Sequence, residues 1–342
     1  MNLPKVTFGI INCNRLHYLK SCVESLIYCT DDYTNKEIII VDNASVEAGT
    51  EEYLKEKEEC GFKIFRQKER DTNNEFAKAL NLICDEATGD FIAPLQGDVQ
   101  FIVKGGWLQK YVEFYSEYGS AIGCMTFDAQ RNERIINSQP FGLFKQDHVN
   151  DEFRLYVDPK RHPILGAADC MYSRQIVDKI YPWHVKNKSH EGGEDSETAM
   201  LTKVQELMNS GGLPRQLFSI VPQIPVSVGI YTDARGTNAR VRGNRRYGDY
   251  WPPKESFMYY HIHDYDNIVE KANDNKGFPL SIEVMATPIG WKPPVDNQGN
   301  WIKNPIRPET ATRTDYVELV KGQAPEEKEH TDPDYLSGWM ED

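Results

Sequence analysis

The stretch "VTFGIINCNRLHYLKSCVESLIYCTDDYTNKEIIIVDN", Val6 to Asn43, decides the fold class. It opens and closes on β-rich runs, Lys5–Ile11 and Glu37–Val41, and the second ends in the turn signal Asp42-Asn43. Between them Leu16, Leu19, Cys22, Val23, Leu26 and Ile27 recur at helical spacing over Arg15–Tyr28. The alternation continues with a charged helix from about Val46 to Glu59 and a strand at Phe62–Phe65. A helix marked by Phe76, Leu80, Ile83 and Ala87 then precedes a strand at Asp90–Leu95. Apolar strands separated by helices imply an α/β protein, its mostly parallel sheet covered by helices on both faces. Ligands of such sheets bind at the carboxyl ends of the strands. Asn12, Asp42 and Asp98 each follow a strand, so they are expected to gather at one edge.

Beyond Gly106 a helix is expected at Trp107–Tyr118, a strand at Ala121–Phe127 and hairpins within 128–165. A strand at Ala167–Tyr172, a helix at about Arg174–Ile180 and a Gly-rich loop follow. The loop feeds a helix whose Met200, Val204, Leu207 and Met208 face the core. Residues 222–265 read as loops. The remainder is Pro-rich and polar and ends in an acidic tail.

Composition narrows the function. The formal net charge of −13 argues against bulk nucleic acid as a partner, because such binding needs Lys and Arg to neutralise phosphates. One basic run stands out, Arg235 to Arg246 ("RGTNARVRGNRR"). It is either a clasp for phosphates or a solvated loop. The seven cysteines show no CxxC spacing and read as reduced core residues. No apolar run approaches the roughly 20 residues of a membrane span. The start, "MNLPKVTFGII", lacks a signal peptide's pattern, which favours the cytoplasm.

Three pieces in order resemble the GT-A glycosyltransferases, above all the large inverting family 2. They are the opening stretch, the block "NNEFAKALNLICDEATGDFIAPLQGDVQFIVKGGWLQKYVEFY", and "GGED" at Gly192–Asp195. The resemblance spans about residues 5–210 and implies a GT-A (Rossmann-like) fold. A smaller antiparallel acceptor-side region and a C-terminal extension would complete it. Residues 1–126 would form the nucleotide-sugar-binding half, 127–270 the acceptor-binding and catalytic half, and 271–342 the extension.

By this resemblance Asp42 accepts an N–H of the donor's base, while Asn12 and Arg15 contact base and diphosphate. Asn81, on the helix before the metal-motif strand, is implied as a further donor-binding residue. Alternatively Asp42 caps a turn, and Arg15 lies on a solvated helix face. The family's metal motif usually pairs two acids, one on a divalent cation and one near the ribose. Here the triplet is Gln96-Gly97-Asp98, so Asp98 is the implied ligand for Mn²⁺ or Mg²⁺ and Gln96 replaces its partner. A bare β-turn is the other reading. Read forward, Asp98-Val99-Gln100 also puts an amide where the second acid would be. A further ligand could come from His261 or His263 in "YYHIHDYD", or these are ordinary polar positions. Asp195 matches the base that deprotonates the acceptor hydroxyl, with Glu194 bonding a sugar; both could equally serve a helix N-terminus. Trp107, Trp183 and Trp251 could stack on sugars or sit in the core.

The implied activity is inverting transfer from a nucleoside-diphosphate sugar, most simply UDP-linked, to an acceptor hydroxyl. The acceptor, a glycan, a lipid-linked glycan or a protein, cannot be read. Two rivals stand beside it: a sugar-nucleotide-binding or scaffold protein with reduced catalysis, and a nucleotidyltransferase. The latter's Gly-rich phosphate loop is missing from "IINCNRLHY".

Overall fold

A computed structural model describes residues 3–129, 142–144, 152–157, 168–185, 196–215, 217–230, 258–274, 280, 282–286, 289 and 298. In chain order the first elements are β1 (Val6–Asn12), α1 (Leu16–Cys29), β2 (Lys36–Asp42), α2 (Thr50–Glu59), β3 (Lys63–Arg66), α3 (Glu75–Glu86) and β4 (Phe91–Gln96). Then come β5 (Val99–Phe101), β6 (Val103–Lys104), α4 (Trp107–Tyr118), β7 (Ile122–Thr126), β8 (Gly142–Phe144) and β9 (Phe153–Val157). The last are β10 (Cys170–Ser173), α5 (Arg174–Ile180), α6 (Ser196–Ser210), β11 (Phe218–Pro222), β12 (Ser227–Gly229), β13 (His263–Asp264), α7 (Tyr265–Asp274) and α8 (Ile282–Met285).

Among the described residues the main sheet has nine strands in the order β3-β2-β1-β4-β10-β7-β11-β9-β8. Only β10 and β9 run against the others. The expected α/β fold with a mostly parallel sheet is what the chain forms. The antiparallel β8-β9-β11 side supplies the expected smaller region, and among the described residues β8 and β9 pair antiparallel within the segment expected to hold hairpins. In β2, Ile38 and Ile40 join a core shared with α1, α2, α4 and α7, while Ile39 and Val41 join one shared with α3, α5 and α6. That alternation explains the apolar run, since a strand covered on both faces has no polar side to show.

Gly9 sits where β1 meets α3. A Cβ there would lie 2.3 Å from Ile83 Cγ2, so the close approach of helix to sheet depends on its absence. At the opposite, amino-terminal edge of the sheet, Glu37 accepts from Thr7 Oγ1 and Thr88 N at 2.6 Å each and from Lys5 and Lys63 Nζ at 3.1 Å each. Burial pushes its carboxyl up, but these four donors outweigh it and hold the pKa at about 2.

Several expectations are corrected. The second helix begins at Thr50 rather than Val46, because residues 43–49 are held as a loop by side chains of the neighbouring turn. The segment after 222 is not all loop. Strand β12 pairs with β5, β13 pairs with β6, and α7 buries Tyr265, Ile268 and Ala272. Trp107 is a core residue, stacked on Phe101 at 5.8 Å with its Nε1 donating to Cys29 O at 2.7 Å. Trp183 is buried too, and Trp251 lies outside the described residues. All seven cysteines are free thiols, but Cys60 is exposed and Cys13 half-buried, so not all are core. No described helix is long and apolar enough to cross a membrane.

Gly9→Ala is expected to destabilise the protein by about 1–3 kcal/mol through overpacking against Ile83, measured by urea unfolding. An unchanged midpoint would show that α3 yields freely. Glu37→Gln is expected to cost about 1.5–3 kcal/mol at pH 7. A carboxyl with a depressed folded pKa stabilises fully above its unfolded value and progressively less as pH falls toward the folded one. The wild-type advantage should therefore be level at neutral pH and shrink from about 4.5 toward about 2. A pH-independent gap would contradict this account.

Candidate active site

The strand order turns back at β1, with β2 on one edge and β4 on the other, which opens a crevice at their carboxyl ends. In register, Asn12 lies beside Asp42 and Ile11 beside Gln96. Three loops therefore leave the sheet side by side, and they are knitted by polar side chains. Asp42 is 5% exposed. Its Oδ1 accepts from Asn12 Nδ2 at 2.7 Å and Ser45 Oγ at 2.5 Å, and its Oδ2 accepts from Ser45 N at 2.9 Å. Asn14 N donates to Ser45 Oγ, and Asn14 Oδ1 accepts from Val46 N at 2.8 Å. Glu47 Oε2 accepts from Leu16 N at 2.7 Å and so caps the start of α1. Asn14, Arg15 and Ala44 all take left-handed φ, between 52° and 56°. Such backbone persists only where its surroundings enforce it.

This knot has two chemical consequences. Three hydrogen bonds, two from Ser45 of its own loop and one from Asn12 of the neighbouring strand, occupy most of the roughly four lone-pair sites of the Asp42 carboxylate. Asp42 thus performs the turn-capping role, and its remaining acceptor capacity is on Oδ2. Second, a carboxylate already holds the anion position at the start of α1. Beside it, Arg15 Nη1 lies 3.5 Å from Asp98 Oδ2, with side chains 56% and 18% exposed. At that separation the pair is weak, and the exposed Arg15 side chain is held little by it.

Asp98 is fixed in the turn between β4 and β5. Gly97 N donates to Ile11 O at 3.0 Å, and a Cβ at Gly97 would press on that same oxygen at 3.0 Å. Ile230 N donates to Asp98 O at 2.6 Å, so the end of β12 backs the turn. A single carboxylate at the rim suits a hard cation that completes its shell with phosphate oxygens and water. Among the described residues no group of three or more His, Cys, Asp or Glu could hold a metal by itself.

The other candidates fall in different places. Asn81 faces the Trp183 backbone, its Nδ2 donating to Trp183 O at 3.0 Å and its Oδ1 accepting from Trp183 N at 2.7 Å. Gln100 is fully buried. Its Oε1 accepts from Tyr259 N and Tyr260 N, and its Nε2 donates to Tyr260 O, which pins the segment ahead of His261. His261 is exposed. His263 Nε2 donates to Met285 O at 2.9 Å, and burial holds its pKa below the ordinary value. Glu194, Asp195 and the arginine run lie outside the described residues; Asp195 directly precedes α6. Three contributors had not been singled out. Ser45 and Glu47 were legible, as polar residues at short fixed offsets from Asp42. Asp169, fully buried beneath Gln96, had no local signal.

A family model described as "Glycosyl transferase family 2" matches residues 7–181, just over half of the chain. The chain belongs to glycosyl transferase family 2. The family 2 match covers the whole crevice and ends before Gly192–Asp195. EpsE of Bacillus subtilis (strain 168), which carries a glycosyltransferase name, is 32% identical over 145 residues. That alignment spans 40% of this chain and 50% of EpsE, so the chain matches half the length of that relative. Two solved structures are similar at a shallow level. Mannosyltransferase PcManGT from Pyrobaculum calidifontis, in complex with GDP-Man and Mn²⁺, is 18% identical with a TM-score of 0.48, over 71% of this chain and 61% of that one. Staphylococcus aureus TarS is 14% identical with a TM-score of 0.46, over 67% and 37%.

Asp42→Asn is expected to cost about 1–3 kcal/mol, because an amide placed among Asn12 Nδ2, Ser45 Oγ and Ser45 N leaves donors facing donors. Chemical denaturation tests this, and an unchanged midpoint would show that the knot does not depend on the charge.

Proposed function

We propose that the chain transfers a glycosyl group from a nucleoside-diphosphate sugar to an acceptor hydroxyl with inversion at the anomeric carbon. The observation that carries the reading is the gathering of Asn12, Arg15, Asp42 and Asp98 at one crevice in a family 2 chain. Asp42 and its loop meet the base, with uracil as the first to test. Arg15 meets the diphosphate. Asp98 holds a divalent cation, Mn²⁺ or Mg²⁺, against the donor's phosphates, and such a cation neutralises charge on the departing diphosphate. The donors UDP-GlcNAc and GDP-Man, named for solved relatives, fit the same class.

Asp195 takes the proton of the acceptor hydroxyl as that oxygen bonds to the anomeric carbon. The bond from that carbon to the diphosphate oxygen breaks on the opposite face, and the leaving group carries the electron pair away. This role rests on the "GGED" resemblance, which lies beyond residue 181. Glu194 is its neighbour on the sugar.

Calorimetry with UDP and GDP, with and without MnCl₂, followed by donor hydrolysis assays, tests the reading. Asp98→Asn is expected to lose at least about tenfold in Mn²⁺-dependent nucleotide affinity. Asp195→Asn should keep nucleotide affinity and lose about 10²–10⁴-fold in turnover. Full turnover in Asp195→Asn would remove the base assignment. Binding with no turnover in the wild-type chain would favour a sugar-nucleotide-binding protein.

A further inference from the structure

The triplet Gln96-Gly97-Asp98 holds one acid where a pair is expected, yet a second carboxylate lies directly behind it. Asp169 is fully buried, between β4 and β7. Its N–H donates to Pro94 O at 2.7 Å and its carbonyl accepts from Phe127 N at 3.0 Å. Its φ is 58°, a left-handed value that Asp tolerates better than most residues. In this pose the carboxylate reaches the end of β4, where Oδ1 accepts from Gln96 N at 3.0 Å and Oδ2 from Gln96 Nε2 at 3.1 Å. A buried carboxylate is costly unless hydrogen-bonded, and these bonds bind it to the one position where the triplet departs from two acids.

The geometry settles the orientation of the amide. A carboxylate only accepts, so the Gln96 side chain must turn Nε2 toward Asp169. The planar amide then directs Oε1 away from Asp169, and among the described residues nothing donates to that oxygen. Gln96 is half-buried, so Oε1 is within reach of a ligand at the rim beside Asp98. A charge-assisted bond to Nε2 also polarises the amide and makes Oε1 a better acceptor. Cys22 packs under the same strand end, its Sγ 3.8 Å from Gln96 O. Its thiol is raised first by burial and then by the fields of Asp169 and Asp98.

We propose that Asp169 is a positioning residue of the donor site, which locks Gln96 so that Oε1 accepts a hydrogen bond from a ribose hydroxyl. The missing second acid is thereby replaced by a neutral oxygen at the rim and a charge held in the interior. The inference rests on the donor-site reading above.

The test measures binding by calorimetry in MnCl₂, using the four common nucleoside diphosphates and their 2′-deoxy and 3′-deoxy forms. Wild-type protein is expected to bind one of the diphosphates and to lose about tenfold when one ribose hydroxyl is removed. Asp169→Asn brings an amide N–H against Gln96 Nε2, so the lock is lost; affinity should fall by up to about tenfold and the hydroxyl preference should weaken, because a ribose hydroxyl can still accept from a flipped Nε2. Gln96→Ala should lose the preference altogether, and adding Asp169→Asn to it should cost nothing further in affinity, since the two act as one unit. The exchange Gln96→Glu with Asp169→Asn restores matched donors and acceptors, and it should recover folding and the hydroxyl preference even where Asp169→Asn alone does not fold. Multiplying losses in the double variant would overturn the inference. So would an Asp169→Asn protein that keeps the wild-type preference with a lower melting temperature, or an exchange variant that folds and binds without the preference. A wild-type chain that binds no nucleoside diphosphate would overturn the donor-site reading, and this inference with it.

Discussion

The rest of the molecule depends on the placement of β1, whose seven residues are all buried and which is paired in parallel on both edges. A strand covered on both faces and bonded on both sides has one register, because a slip of one residue would exchange its two faces. That register sets Asn12 beside Asp42 and Ile11 beside Gln96. Since β2 and β4 leave β1 in opposite directions across the sheet, their following loops diverge and leave a crevice. The apolar interior thus decides where the polar chemistry stands before any polar contact forms.

At the rim, hydrogen bonding completes what the sheet began. Asp42 organises two loops through Asn12 and Ser45, and Glu47 satisfies the start of α1. Asn12 and Asp42 are buried, Ser45 and Glu47 half-buried, and their donors and acceptors are matched, so they hold shape. Arg15 is exposed and its approach to Asp98 is long, at 3.5 Å, so its guanidinium is held less firmly than these groups.

Much of this was legible beforehand. The strand and helix alternation is local, and Trp107–Tyr118 and Arg174–Ile180 fall where the spacing puts them. The helix α7 was missed although Tyr265, Ile268 and Ala272 keep helical spacing, because its polar face outweighs its apolar one. Strand β12 has three residues and little pattern of its own, and it exists because β5 needs a neighbour. Trp107 carried no mark distinguishing a sugar platform from a core residue, and packing against Phe101 and Phe127 decided it.

The sequence by itself determined the α/β alternation, the carboxyl-edge positions of Asn12, Asp42 and Asp98, and the departure at Gln96. Each is written in residues adjacent along the chain, where periodicity and turn chemistry act. Only the tertiary structure decided which side chains those residues meet. Gln96 finds Asp169 across 73 positions, Asn81 finds Trp183 across 102, and Gln100 finds Tyr260 across 160. Such pairings follow from how closed layers bring distant backbone together, and no local pattern encodes them. A buried polar group must be satisfied by whatever the fold sets beside it, and for the amide of Gln96 that neighbour is a carboxylate.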